Sequence, residues 1–141
     1  MDYGRKRIGL ALSDELGLTA RPLTTMQRTN RQNDMRRLRE ICRRNGVCRI
    51  IVGHPLHLTG EAGAMAKEAL GFARRLGKAV NIKVEMRDER LTSWEARQMA
   101  TEIRSGRPRE DPLDDVAAAI LLRDYLGQKR DHGRSGSVEK D

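Results

Sequence analysis

Three sets of carboxylates stand where strands are predicted to end or helices to begin. They are Asp2 in MDYGRKRIGLALSD, the Asp88-Glu89 pair in VEMRDER, and Asp114-Asp115 in LDDVAAAILLRDYL. In open α/β sheets the strand ends and the loops beyond them form the crevice where ligands bind. If the first and last strands are neighbours, these acids converge there. Hard divalent cations such as Mg²⁺ take oxygen ligands, and two or three carboxylates leave positions open for water and phosphate. Two such ions about 3.5–4 Å apart would activate a water and stabilise the leaving oxygen in phosphodiester hydrolysis. Each acid also has a structural explanation. Asp2 suits a strand edge beside a basic hairpin tip, and Asp88-Glu89-Arg90 suits a surface ion-pair cluster. Asp114 and Asp115 suit the first turn of a helix, where the macrodipole favours a carboxylate by about 0.3–1 kcal/mol. Spacing alone leaves both readings open.

The elements that must position these acids follow from periodicity. Residues 1–4 and 8–13 are predicted strands joined by an Arg5-Lys6-Arg7 turn, with Ile8, Leu10 and Leu12 on one alternating face. A third strand over 18–26 contains Pro22, which suits an edge position. Met35, Leu38, Ile41 and Cys42 recur at helical spacing, and Asn45-Gly46 stops that helix. CRIIVG (48–53) is a nearly continuous apolar run, as expected of a buried parallel strand. Met65, Ala66, Ala69, Leu70, Ala73 and Leu76 mark the next helix, and residues 80–90 the last strand. Thr92 and Glu95 form a capping box for a further helix, and Asp111-Pro112 caps the final one, 113–126. Residues 127–141 are polar and rich in Gly and Ser, so they are expected to form a disordered tail on a single domain over 1–126. Strands that meander first and alternate with helices later predict an α/β fold with a mixed sheet.

A chain of 141 residues has room for one ordinary domain and excludes two sizeable ones. Its 28 Lys and Arg against 20 Asp and Glu give a net charge of +8, which favours a polyanionic partner such as nucleic acid. Aromatic residues make up only 3%, so stacking on single-stranded bases is not expected to dominate. Cys42 and Cys48 match no metal or redox spacing and are expected to be reduced core residues. No membrane span or signal sequence is evident, which makes the cytoplasm the expected location. Both a monomer and a homodimer remain compatible with the sequence.

Four blocks resemble the YqgF/RuvX family, known as pre-16S ribosomal RNA nucleases and Holliday junction resolvases. They are DYGRKRIGLALSD (2–14), IIVGHPLHLTGEAG (50–63), VEMRDERLTSWEA (84–96) and LDDVAAAILLRDYL (113–126), in the family's order and near its spacing. The resemblance implies a ribonuclease H-like fold, a five-stranded mixed sheet of order 3-2-1-4-5 flanked by helices. It further implies that Asp2, Glu89 and Asp114 are catalytic carboxylates binding Mg²⁺ or Mn²⁺. Asp88, Arg90 and Asp115 would support them. Arg5, Lys6 and Arg7, with His54 as a further candidate, would contact phosphates. The family usually has several apolar residues before its D-x-G, whereas only Met1 precedes Asp2. The first strand is therefore expected either to continue upstream or to lack its first half. His54 stands where relatives carry an apolar residue, as a phosphate contact or a tolerated substitution.

The activity so implied is metal-dependent phosphodiester hydrolysis in 5′-end processing of pre-16S ribosomal RNA. Its alternatives are resolution of branched DNA and a non-catalytic role as a nucleic-acid-binding assembly factor. An actin-like phosphotransferase would need a second large domain, which the length excludes.

Overall fold

The computed structural model describes residues 1–54, 60–88, 98, 101–102, 105–108 and 113–139. The Thr92–Glu95 capping box, the Asp111-Pro112 cap, Glu89 and Arg90 lie outside the described residues. Strands β1 (Arg7–Ser13) and β2 (Ala20–Gln27) form an antiparallel hairpin. Its tip is held by Asp14, whose carboxylate accepts the amides of Leu18 at 2.7 Å and Thr19 at 3.0 Å. Gly17 there takes φ 68°, a backbone region that favours glycine. The register shifts between Leu10 and Ala11, which pair with Thr24 and Pro22, so Leu23 is the extra residue of a bulge. Pro22 thus sits on a strand paired only with β1 among the described residues.

Helix α1 (Arg31–Arg44) begins where the Asn30 side chain accepts the Asn33 amide at 2.9 Å, and ends at Asn45 before Gly46 at φ 61°. Strand β3 (Arg49–His54), helix α2 (Gly60–Val80) and strand β4 (Lys83–Asp88) form a parallel unit with the helix as crossover. Ile50, Ile51 and Val52 are all buried, as their unbroken apolar run predicts. Leu38 and Cys42 of α1 join Phe72, Ala73 and Leu76 of α2 in a core with Ile8, Leu10 and Met26. Fully burying a side chain such as Phe72 or Leu38 is worth about 1.5–3 kcal/mol.

Helix α3 (Asp114–Glu139) packs mainly on β1 and β2. Ile8 and Leu10 face the α1–α2 core, so alternation directs Gly9 to the opposite face, where α3 lies. The sheet strands are therefore covered by helices on both sides. Farther along α3, Tyr125 donates to Glu85 Oε2 at 2.9 Å and accepts from Arg49 Nη1 at 3.2 Å, tying the helix to β3 and β4.

The two ladders meet at Asp2. Its amide donates to the Gly9 carbonyl at 2.9 Å, and its carbonyl accepts the Gly9 amide at 3.0 Å. On the other side the Gly53 amide donates to the Met1 carbonyl at 2.9 Å, giving a parallel bridge between Asp2 and Gly53. Where a strand over 1–4 was expected, Asp2 alone forms bridges, because the chain turns away at Gly4. An apolar cavity of about 760 Å³ opens between Leu10–Leu12 and Arg49–Ile51, where the ladders part.

Two further expectations need correction. Cys48 is exposed, because it precedes β3 and lies outside the buried Ile50–Val52 run, whereas Cys42 is buried. The final helix continues past Gly127 to Glu139, through residues expected to form a disordered tail. Gln128, Lys129 and Arg130 are good helix formers, and the Lys129 ammonium lies 5.6 Å from the Tyr125 ring centroid. Among the described residues no helix is long and apolar enough to cross a membrane.

Candidate active site

A row of paired residues crosses the strands: Arg87, Gly53, Asp2, Gly9 and Thr25. Residues directly opposite one another in a ladder project from the same face. The Asp2 side chain therefore shares the α3 face with the Cα of Gly9, while neighbouring Tyr3 is buried on the other face, 5.1 Å from Phe72 between ring centroids. Both lateral neighbours of Asp2 are glycines, so no side chain crowds its carboxylate from the flanking strands.

Gly9 has a second role. A Cβ built there would lie 1.8 Å from the Asp114 carbonyl oxygen and 2.7 Å from the Asp115 amide nitrogen. Only glycine lets the first turn of α3 descend onto β1, and that descent sets Asp114 over the residue that pairs with Asp2. Two of the three expected ligands, 112 positions apart in the chain, are thus brought to one spot of one face. The third, Glu89, lies outside the described residues, one position beyond the end of β4 at Asp88. His54 and Asp88 are the last paired residues of β3 and β4, at the same end of that ladder as Gly53.

Arg7, two residues before Gly9 and hence on the same face, donates from Nε to Asp114 Oδ2 at 3.0 Å. A cation already sits at this carboxylate, which is evidence that its surroundings suit positive charge. The carboxylates of Asp2 and Asp114 are hard oxygen donors of the type that a divalent ion such as Mg²⁺ takes. Among the described residues no group of three or more His, Cys, Asp or Glu is clustered.

Asp115 is buried and turned elsewhere. Its two oxygens accept from Arg107 Nη1 and Nη2 at 2.9 and 3.0 Å, and Oδ1 also accepts the Val116 amide at 3.0 Å. Burial pushes its carboxyl up, but the Arg107 guanidinium and the amide outweigh that and hold it below the usual carboxylate range. Asp115 thus anchors the start of α3 beneath Asp114.

The basic turn is shaped by Gly4, where a Cβ would lie 2.5 Å from the Arg7 carbonyl oxygen. Its three cations separate: Arg7 faces Asp114, Arg5 makes two hydrogen bonds to Glu68 at 2.9 and 3.0 Å, and Lys6 is exposed. Sequence reasoning missed the ion pair beneath this turn. Arg28 donates to Asp34 Oδ2 at 3.3 Å, to the Tyr3 hydroxyl at 3.1 Å and to the Gly4 carbonyl at 3.2 Å. Asp34 is 1% exposed. Asp34 stands in the first turn of α1, and nothing in the sequence spacing shows Arg28 folding back onto it. Arg107, in the SGRPRED loop, carried no signal either.

The α/β arrangement of these strands and helices is that of the RuvC-like, ribonuclease H-like fold. Two solved structures are similar in fold. One, "T. thermophilus RuvC in complex with Holliday junction substrate", matches with TM-score 0.61 and 19% identity over 92% of each chain. The other, "Thermus thermophilus RuvC structure", matches with TM-score 0.59 and 16% identity over 92% of this chain and 93% of that one. More specifically, the chain belongs to the RuvX family, described as "Holliday junction resolvase", whose model matches residues 1–128. It is 42% identical over 127 residues to a "Putative pre-16S rRNA nuclease" of Thermosynechococcus vestitus, covering 89% of this chain and 84% of the relative. It is 43% identical over 129 residues to a protein of the same name from Syntrophus aciditrophicus (89% and 85%) and 41% over 134 residues to one from Moorella thermoacetica (94% and 96%).

Proposed function

We propose that this protein is a metal-dependent nuclease that hydrolyses phosphodiester bonds in precursor 16S ribosomal RNA in the cytoplasm, trimming its 5′ end. The observation that carries the reading is the double bridge of Asp2 to Gly9 and Gly53 with the start of α3 seated on Gly9. That arrangement puts Asp2 and the start of α3, with Asp114, on a common face of the strands. Asp2, Asp114 and Glu89 would hold Mg²⁺ or Mn²⁺. When bound, the metal supplies a nucleophilic water at neutral pH and neutralises charge on the phosphorane-like transition state.

The chain's own groups do the rest. Arg7 fixes the Asp114 carboxylate and would offer its guanidinium to a phosphate on the same face. Asp115, through Arg107, keeps the first turn of α3 in place. Asp88 and Arg90 flank Glu89 and orient it, Arg5 and Lys6 bind the phosphodiester backbone, and His54 adds a contact beyond β3. In this reading the two ladders are halves of one five-stranded sheet of order 3-2-1-4-5, with the residues around Asp2 as its central strand. Residues 1–126 form the nuclease domain and 127–141 a polar appendage.

A second substrate class is favoured by the family's description as a Holliday junction resolvase. The deciding experiment compares cleavage of a 5′-extended 16S precursor and of a four-way DNA junction with Mn²⁺ present and absent, for the parent and for Glu89→Gln. The substitution preserves size and removes the metal-holding charge. Cleavage is expected to fall by at least about 10³-fold, while binding at low salt is retained or strengthened by loss of a negative charge. A folded Glu89→Gln protein that cleaves at the parent rate refutes the catalytic assignment. If neither protein cleaves either substrate while both bind RNA, the assembly-factor reading replaces it.

A further inference from the structure

On the far side of the basic turn from Arg7 lies a polar cavity of about 470 Å³. Its wall holds four cations, Arg5, Lys6, Arg28 and Arg31, against two carboxylates, Asp34 and Glu68. These charges are not equivalent. Arg28 is locked: it spends its donors on Asp34, Tyr3 and Gly4, and its guanidinium carbon lies 5.2 and 5.5 Å from the Tyr3 and Phe72 ring centroids. It forms a rigid floor whose charge Asp34 balances. Lys6 and Arg31 are exposed and make no ion pair among the described residues. Arg5 stands between these cases. Glu68 of α2 engages it in a two-point pair that solvent reaches on both sides, with side chains 60% and 41% exposed.

The Glu68 carboxylate presents two oxygens to the guanidinium fork, the same geometry a phosphodiester presents. We propose that this cavity is a phosphate subsite for the nucleic-acid backbone outside the cleavage centre, and that Glu68 is a built-in stand-in which the substrate phosphate displaces from Arg5. The proposal rests on the nuclease reading, since it needs a nucleic-acid substrate, but it makes no use of the metal carboxylates. The exposed Arg5–Glu68 pair is worth little in water, so its exchange for a phosphate flanked by Lys6 and Arg31 is uphill by little. The Gly4–Arg7 turn would then grip the backbone from two sides, Arg7 beside the carboxylates and Arg5 with Lys6 over the cavity.

The test is binding of a fluorescent 5′-extended 16S precursor fragment in chelator, where cleavage is absent, measured across a salt series. Lys6→Ala and Arg31→Ala should each weaken binding about three- to tenfold and each lower the salt slope by about one. Glu68→Ala should tighten binding about three- to tenfold, because the carboxylate that competes with a phosphate for Arg5 is removed. In an Arg5→Ala background the same substitution should gain less than twofold. Glu40→Ala removes a somewhat more exposed carboxylate (55% against 41% for Glu68), paired with Arg44 on α1, and should change binding less than twofold. Equal tightening by Glu68→Ala with and without Arg5 would reduce Glu68 to general charge and overturn the displacement. Unchanged binding in both Lys6→Ala and Arg31→Ala would overturn the subsite while leaving the nuclease reading intact. A parent protein that binds no nucleic acid at any salt would end both.

Discussion

Replacing Gly9 by alanine puts one methyl group where the structure has no room. The new Cβ would meet the Asp114 carbonyl oxygen at 1.8 Å, its carbon at 2.1 Å and the Asp115 amide nitrogen at 2.7 Å. All three are backbone atoms, so no side-chain rotation relieves the overlap. Non-bonded heavy atoms are comfortable near ~3.5 Å, so the start of α3 must retreat by about 1.5 Å. Overpacking of this kind costs about 3 kcal/mol, offset by about 0.5–1 kcal/mol from removing a strand glycine. A net loss of about 2 kcal/mol corresponds to a Tm lower by roughly 6–8 °C for a chain of this size. Activity should suffer more than stability, because Asp114 rides on the displaced turn. A misplacement of about 1 Å among reacting groups costs about 10²-fold in rate. The comparison is Gly63→Ala in α2, where a Cβ meets nothing within 4 Å and alanine should add about 0.5–1 kcal/mol of stability. Cleavage rate and thermal melting are read on the same preparations. A Gly9→Ala protein that melts and cleaves like the parent would show that the closeness of α3 to β1 has nothing to do with the site.

Cleavage should require Mg²⁺ or Mn²⁺ and fail with Ca²⁺ as sole divalent ion, since Ca²⁺ tolerates loose, larger coordination shells. Full turnover in excess chelator would contradict it. The Arg107–Asp115 pair holds the Asp115 carboxyl below its unfolded value near ~3.9. Its stabilisation is therefore present above that value and fades as pH falls through the lower, folded one. Asp115→Asn should cost about 2–3 kcal/mol at pH 7, with the gap in Tm from the parent closing below about pH 4. A gap that stays constant to pH 3 would rule out the ion pair as its source. Burial pushes the Cys42 thiol up, whereas Cys48 is exposed. A maleimide should label one thiol in the native protein and two in denaturant, and rapid native labelling of both would place Cys42 wrongly.

The sequence shows some of this directly. Ile50-Ile51-Val52 names a strand buried on both faces, and Asn45-Gly46 names the end of α1, because each signal is local and periodic. The carboxylates at Asp2 and Asp114 are legible as candidates, but their meeting is not. It depends on a missing methyl group at Gly9 and on pairing between residue 2 and residue 53, which no short-range pattern encodes. Arg7 looks like one of three equivalent cations until the fold carries it to Asp114, 107 positions away. The Arg28–Asp34 pair hides for the opposite reason: it is close in sequence, yet it forms across a turn that has no period. Cys48 misleads because it stands two residues before the buried run that begins at Ile50. The continuation of α3 past Gly127 shows that a polar composition does not itself stop a helix.

The seam at Asp2 has a consequence for how the protein fails. The β1–β2 hairpin and the β3–α2–β4 unit each satisfy their own ladders, and among the described residues Asp2 and Met1 supply the backbone bridges between them. Such units open separately, at free energies below that of global unfolding. Parting at the seam would leave both ladders paired while dividing the shared core and separating Asp2 from its neighbours. The placement of Asp2 beside Gly9 and Gly53 is therefore lost before the secondary structure is. In the proposed reading, a metal or substrate held by Asp2 together with Asp114 would also clamp the two units together.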